Sequence, residues 1–220
     1  MQAIISNATV RHGRGGRPAA KDAGDVDRRI LDAAARLFRQ LGFDATSCEQ
    51  VVIQAGAGKA SLYARYANKE ELFAAVVHDN VERTLAPAAD LPLDLPLHAR
   101  LQAVGRSILV HSLQPDVVAL MRALLATAHR MPELARMADQ IGRERAIQHV
   151  AASIVGNAAG SENAARALLV ANKFIELVFV PAQMRALVGD DPEELALAAE
   201  RRLDDSIDLL TKGGWLDGWA

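Results

Sequence analysis

Between Lys59 and Lys69 the chain gathers side chains suited to one kind of chemistry. Lys59, Ser61, Tyr63, Arg65 and Lys69 are donors for phosphate oxygens or base edges, and between them Ala60 and Ala64 carry methyl groups small enough to lie against a base. Contacts of these types recognise double-stranded DNA. No comparable set exists for catalysis. His12, His78, His98, His111, His129 and His149 are scattered without paired ligand spacing. Cys48 is the only cysteine, which rules out an intrachain disulfide and a cysteine-based structural zinc site. A redox-sensing thiol would also need a second cysteine to resolve its oxidised state, so Cys48 is read as packing. Gly56-Ala57-Gly58-Lys59 lacks the length and context of a P-loop. No enzyme, no metal site and no cofactor is therefore expected.

Such short polar segments need helices to aim them. Half of the 220 residues are hydrophobic but only 4% are aromatic, which favours helices packed closely through Ala and Leu, and an all-α protein. Ile30, Ala34, Leu37, Phe38 and Leu41 recur at three- and four-residue steps, predicting a helix over about 27–41 that Gly42 ends. Thr46 followed by Glu49 reads as a capping box ahead of Val51 and Val52, giving a short second helix, about Ser47 to Ala55, stopped by Gly56. A third short helix follows, anchored by Leu62. With Leu62 inward, rotation by about 100° per residue turns Ala60 and Ala64 furthest outward and puts Ser61 and Tyr63 on the flanks. Asn68 and Glu71 form a second capping box, opening a helix to about Leu85.

Two short helices joined by a glycine-containing turn, here over about 47–66, send the second into the major groove while the first braces it. Both helix starts, Thr46-Ser47 and Asn68-Lys69, present backbone N–H groups suited to an anion. Tyr63 and Lys69 are read as phosphate contacts, and Tyr66, on the Leu62 side, as a core aromatic. The formal net charge of −2 confines DNA contact to a local surface. Residues 1–24 form a Gly- and Arg-rich arm, and Arg14 and Arg17 suit a narrow minor groove.

The run from Arg29 through Leu37-Phe38-Arg39-Gln40-Leu41-Gly42-Phe43 to Thr46-Ser47, then Ala55-Gly56, then Lys59-Ala60-Ser61-Leu62-Tyr63 on to Asn68-Lys69-Glu70-Glu71-Leu72-Phe73, resembles the N-terminal domain of the TetR (tetracycline-repressor-like) family. The resemblance implies a three-helix DNA-binding domain whose third helix recognises the operator, followed by a helical domain that binds an effector and dimerises. It also implies that Tyr63 and Lys69 meet backbone phosphates. Ala57-Gly58 departs from the family's β-branched residue and hydroxyl cap, and Val52 from its usual alanine.

Beyond a Pro-punctuated link, Pro87 to Pro96, five more helices are expected: Leu97 to Leu113, Asp116 to His129, Pro132 to Val155, Ser161 to Val188 and Pro192 to Lys212. The domains are then the arm (1–24), a DNA-binding domain (25–86) and a larger helical domain (87–220). Asn172 and Glu176 share a face of an otherwise apolar helix; they either line an effector cavity or hydrogen-bond across a subunit interface. Leu168, Ile175, Val178, Leu203, Ile207 and Leu210 are the expected homodimer contacts, because the last two helices carry more apolar positions than one neighbour needs. Met1 to Val10 shows no export signal, and the apolar stretch Ala164–Ala182 contains Arg166, Lys173 and Glu176, so a cytoplasmic protein without a membrane partner is expected. The function that follows is a dimeric repressor, released by a small-molecule effector from a palindromic operator. A constitutive regulator without a ligand is the alternative, and an α-helical enzyme a weaker one.

Overall fold

The computed structural model describes residues 20–88, 93–156 and 161–219, and among them it is all-α. The order is α1 (Ala20–Ala45), α2 (Cys48–Ala55), α3 (Lys59–Tyr63), α4 (Lys69–Leu85), a 3-10 turn (Ala86–Ala88), α5 (Leu97–Ser112), α6 (Pro115–Thr127), α7 (Pro132–Val155), α8 (Ser161–Val188) and α9 (Pro192–Lys212). Helix α1 starts well before the expected residue 27, since the Ala20-Lys21-Asp22-Ala23 stretch is made of adequate helix formers. Its regular turns end where the periodicity ends, at Gly42, whose φ of 77° lies in the region only glycine occupies freely.

The cap of α2 falls one residue later than the sequence suggests. Ser47 Oγ accepts from the Gln50 N–H at 3.2 Å, and Gln50 Oε1 accepts from the Ser47 N–H at 2.7 Å. Thr46 turns inward instead, its hydroxyl donating to Gly42 O at 2.8 Å. Both registers fit the S/T-x-x-E/Q pattern, and the Gly42 break decides between them by exposing a carbonyl that Thr46 satisfies. At α4, Asn68 Oδ1 accepts from the Glu71 N–H, while Glu71 reaches back to the N–H of Ala67 rather than to that of Asn68.

Two hydrophobic cores result. The smaller one is built on Ile30, Phe38, Val51, Leu62, Leu72 and Phe73, and α6 and α7 complete it with Leu120, Leu124 and Leu134. Phe73 sits edge-on to Phe38 at 4.7 Å between ring centroids. The larger core joins α5, α7, α8 and α9 around Phe174, Ile154 and Leu203. Gly105 lets α5 come close to its neighbours, for a Cβ there would lie 2.5 Å from Leu203 Cδ1 and 2.9 Å from Phe174 Cζ. The Asn163–Val188 stretch is long and apolar enough to cross a membrane by length and composition, with a mean hydropathy of 1.4. In the fold it packs between α7 and α9, burying Ala167, Val170, Phe174 and Val178.

Candidate nucleic-acid interface

Helix α3 is short and held from beneath. Leu62 is its buried anchor, and the Gly58 carbonyl accepts from the N–H groups of Ser61 and Leu62, with no side chain capping the start. Ala60, Tyr63 and Ala64 are exposed and Ser61 is half-buried, as the wheel drawn around Leu62 requires. Lys59 is exposed and pairs with Glu49 of α2 at 2.5 Å. Hydrogen bonding to Lys59, then its charge, holds the Glu49 carboxyl below the usual range, and the same contact raises the Lys59 ammonium. In the sequence Glu49 reads only as a capping residue, a place the structure gives to Gln50; its pairing with Lys59, ten positions away on another helix, leaves no local signal.

Three expected contacts are placed differently. Thr46 is buried at 2% exposure and its N–H already donates to Phe43 O, so neither group faces solvent. Ser47 is the exposed residue at that helix start. Arg65 folds back, donating to Ser61 O at 2.7 Å and approaching Asp27 of α1 at 3.3 Å. Lys69 donates to Phe43 O at 2.9 Å, Thr46 O at 3.0 Å and Asp44 O at 3.4 Å, with its ammonium 4.3 Å from the centre of the Phe43 ring. The Gly42 break leaves these carbonyls without helical partners, and Lys69 supplies the donors. In the free protein Arg65 and Lys69 therefore hold the reading unit together. Arg14 and Arg17 lie outside the described residues.

Tyr66 is half-buried, and its hydroxyl donates to Asp27 Oδ1 at 2.9 Å. Burial, then the hydrogen bond to Asp27, keeps the phenol protonated far above its ordinary range. An unfolded tyrosine loses its proton near pH ~10 whereas the folded one retains it, so this residue's contribution to stability falls as pH rises past that point. Tyr66→Phe is expected to cost on the order of 0.5–1 kcal/mol at neutral pH, the pair being only partly buried. It should also flatten the alkaline decline relative to the parent, as denaturant titrations between neutral pH and pH ~11 would show.

Where α4 meets the larger domain, α4, α5, α6, α7 and α8 line a partly open cavity of about 280 Å³ walled mainly by apolar side chains such as Leu120, Leu124, Ile175 and Phe179. Asn172 and Glu176 do not line it. They hydrogen-bond to each other at 3.0 Å, and Glu176 is exposed and paired with Lys173. Ile175, Val178, Leu203, Ile207 and Leu210 are at most 3% exposed, because they face the core of their own chain and cannot meet a partner. Of the expected dimer contacts only Leu168 is exposed. The apolar residues left outward on α8 and α9 are Leu168, Leu169, Met184, Val188, Leu197 and Leu209. The cavity was not legible because each helix contributes only a few residues to it.

A short helix braced by a second across a glycine turn, with its outer face of small and hydroxyl side chains exposed, defines a helix-turn-helix DNA-binding regulator. Residues 30–76 match the family model "Bacterial regulatory proteins, tetR family", and residues 99–211, just over half the chain, match "AefR-like transcriptional repressor, C-terminal domain". The chain belongs to the TetR family of bacterial transcriptional regulators. It is 33% identical over 113 residues to the HTH-type transcriptional regulator AcrR of Shigella flexneri, a match covering 50% of each chain. The chain spans half or less of the length of the curated relatives it matches. Among solved structures, the flavonoid-responsive regulator FrrA is 29% identical with a TM-score of 0.62, covering 86% of this chain and 97% of its own. A TetR-family regulator from Mesorhizobium loti MAFF303099 shares the fold, with a TM-score of 0.67, 24% identity and coverage of 85% and 97%.

Proposed function

We propose that the chain is a cytoplasmic, homodimeric repressor that a small molecule releases from a palindromic operator. The observation that carries the reading is the cavity. One of its walls is α4, through Val77, Asn80, Val81, Thr84 and Leu85, and α4 is the helix that leaves the helix-turn-helix. A ligand seated there favours one position of α4, and with it one separation of the two recognition helices. Operator half-sites about 34–36 Å apart accept only one such separation. Ala60, Ala64 and Ser61 read base edges in this scheme, Tyr63, Lys59 and Ser47 contact phosphates, and Arg14 and Arg17 enter the flanking minor groove. The flavonoid response named for FrrA, a neighbour along nearly the whole fold, supports a ligand of compact, largely apolar character. A constitutive regulator would be expected to fill this space.

Gly142 gives the test. It lines the cavity from α7, and a Cβ added there meets only Val81 Cγ1, at 3.9 Å. Gly142→Leu therefore takes up a large part of the cavity while improving helix propensity. The parent is expected to bind the small neutral dye N-phenyl-1-naphthylamine and to release a selected operator as the dye saturates. Gly142→Leu should keep the operator affinity and lose dye binding by about tenfold or more, since the space left is too small for the two rings of the dye. Undiminished dye binding and release in the variant would sink the cavity reading.

A further inference from the structure

A second recess, a polar groove of about 380 Å³, lies at the junction of α1, α4, α5 and α6, and it shares the wall formed by Asn80, Thr84 and Val117 with the apolar cavity. Asn80 and Thr84 are four apart on α4, so two polar side chains stand side by side between the two spaces. The groove is lined by Arg36, Arg39 and Arg83 together with Asp32 and Asp116. Arg83 is paired with Asp32 and Asp79, and Arg39 with Asp116 at 3.3 Å. Arg36 is exposed, and among the described residues it makes no ion pair or hydrogen bond.

We propose that the effector is a compact amphipathic carboxylate, its apolar body in the cavity and its acid group in the groove on Arg36 and Arg39. The proposal rests on the reading of the cavity as the effector site and adds the chemical class. The cavity falls just under the ~300–1,000 Å³ usual for small-molecule sites, which favours a short body. Its apolar walls select hydrocarbon or ring, and the exposed Arg36 guanidinium beside the polar wall of Asn80 and Thr84 selects a single anion. Arg39–Asp116 is an ion pair between α1 of the reading unit and α6 of the larger domain. An incoming carboxylate competes with Asp116 for Arg39. The charge of the ligand thus acts directly on the contact between the two parts of the molecule.

Calorimetric titration of the full chain with decanoate, decanol and decyltrimethylammonium, each below its micellar concentration, tests this. Decanoate is expected to bind about twofold to fivefold more tightly than decanol, the gain of one exposed ion pair to Arg36 since that to Arg39 displaces Asp116, and the preference should shrink as salt is added. Arg36→Gln combined with Arg39→Gln should erase the preference while leaving decanol unchanged. Asp116→Asn should strengthen decanoate binding alone, because the competing carboxylate is gone; a variant that merely loosened the fold would weaken both ligands. Equal binding of the three amphiphiles, or a preference for the cation, overturns the carboxylate assignment and leaves the cavity reading intact. Binding of none also overturns it, and the dye experiment with Gly142→Leu then judges the cavity separately.

Discussion

Ala60→Glu is expected to lower operator affinity by more than about 100-fold, since a carboxylate set against the groove meets like charge, which costs several kcal/mol. The stability of the free protein should change by no more than about 0.5 kcal/mol. Ala60 is exposed and lies in the first turn of α3, where a negative side chain is favoured by the free N–H groups, so any shift should be towards greater stability. Ala64→Glu should match it in DNA binding but lose a few tenths of a kcal/mol, because it stands at the C-cap, where the same charge is unfavourable. Binding titrations beside thermal melts separate the two effects. A melt that falls by several degrees along with affinity would place these alanines inside the protein and refute the groove-facing assignment.

The second large effect concerns association. Under the proposed homodimer, Leu169→Glu with Leu197→Glu is expected to leave only monomer in sedimentation at micromolar concentration. Leu169 and Leu197 are 67% and 63% exposed in a single chain, on α8 and α9. In a two-fold interface each residue is buried twice. At ~1.5 kcal/mol for each leucine buried, the four copies amount to on the order of 6 kcal/mol, about four decades in dissociation constant. Operator binding should fall with it, since one recognition helix holds only one half-site. A double variant that still sediments as a dimer would move the interface away from this face.

Much of the architecture was legible because its punctuation is chemical. Pro132 and Pro192 open α7 and α9 at the positions expected, with Asp191 capping α9 by accepting from the N–H groups of Glu193 and Glu194 at 3.0 and 3.1 Å. The outward direction of Ala60 and Ala64 was legible too, because Leu62 is the one strong anchor on its helix. What failed did so where a second partner decides the outcome. Helix α8 has apolar side chains on both faces, and periodicity does not rank them; all but Leu168 of the residues chosen for the dimer were ones the chain keeps for itself. Lys69 and Arg65 looked like free cations because their partners, carbonyls at positions 43–46 and the carboxylate of Asp27, are created by the Gly42 break and by α1 crossing nearby.

The smaller core has a consequence for transplantation. Because Leu120, Leu124 and Leu134 of the larger domain complete it, the boundary near residue 86 is a joint in the chain and not in the packing. A chimera cut there, grafting this reading unit onto another sensor, would leave Ile30, Phe38 and Phe73 with an unfilled side unless the α6–α7 leucines travelled with it. Diversification in such a lineage is then constrained in pairs. On the proposed reading, new operators can be acquired on the outer face of α3 by single changes, whereas new sensing domains have to keep Leu120 and Leu124, which serve the reading unit's core and the cavity at once.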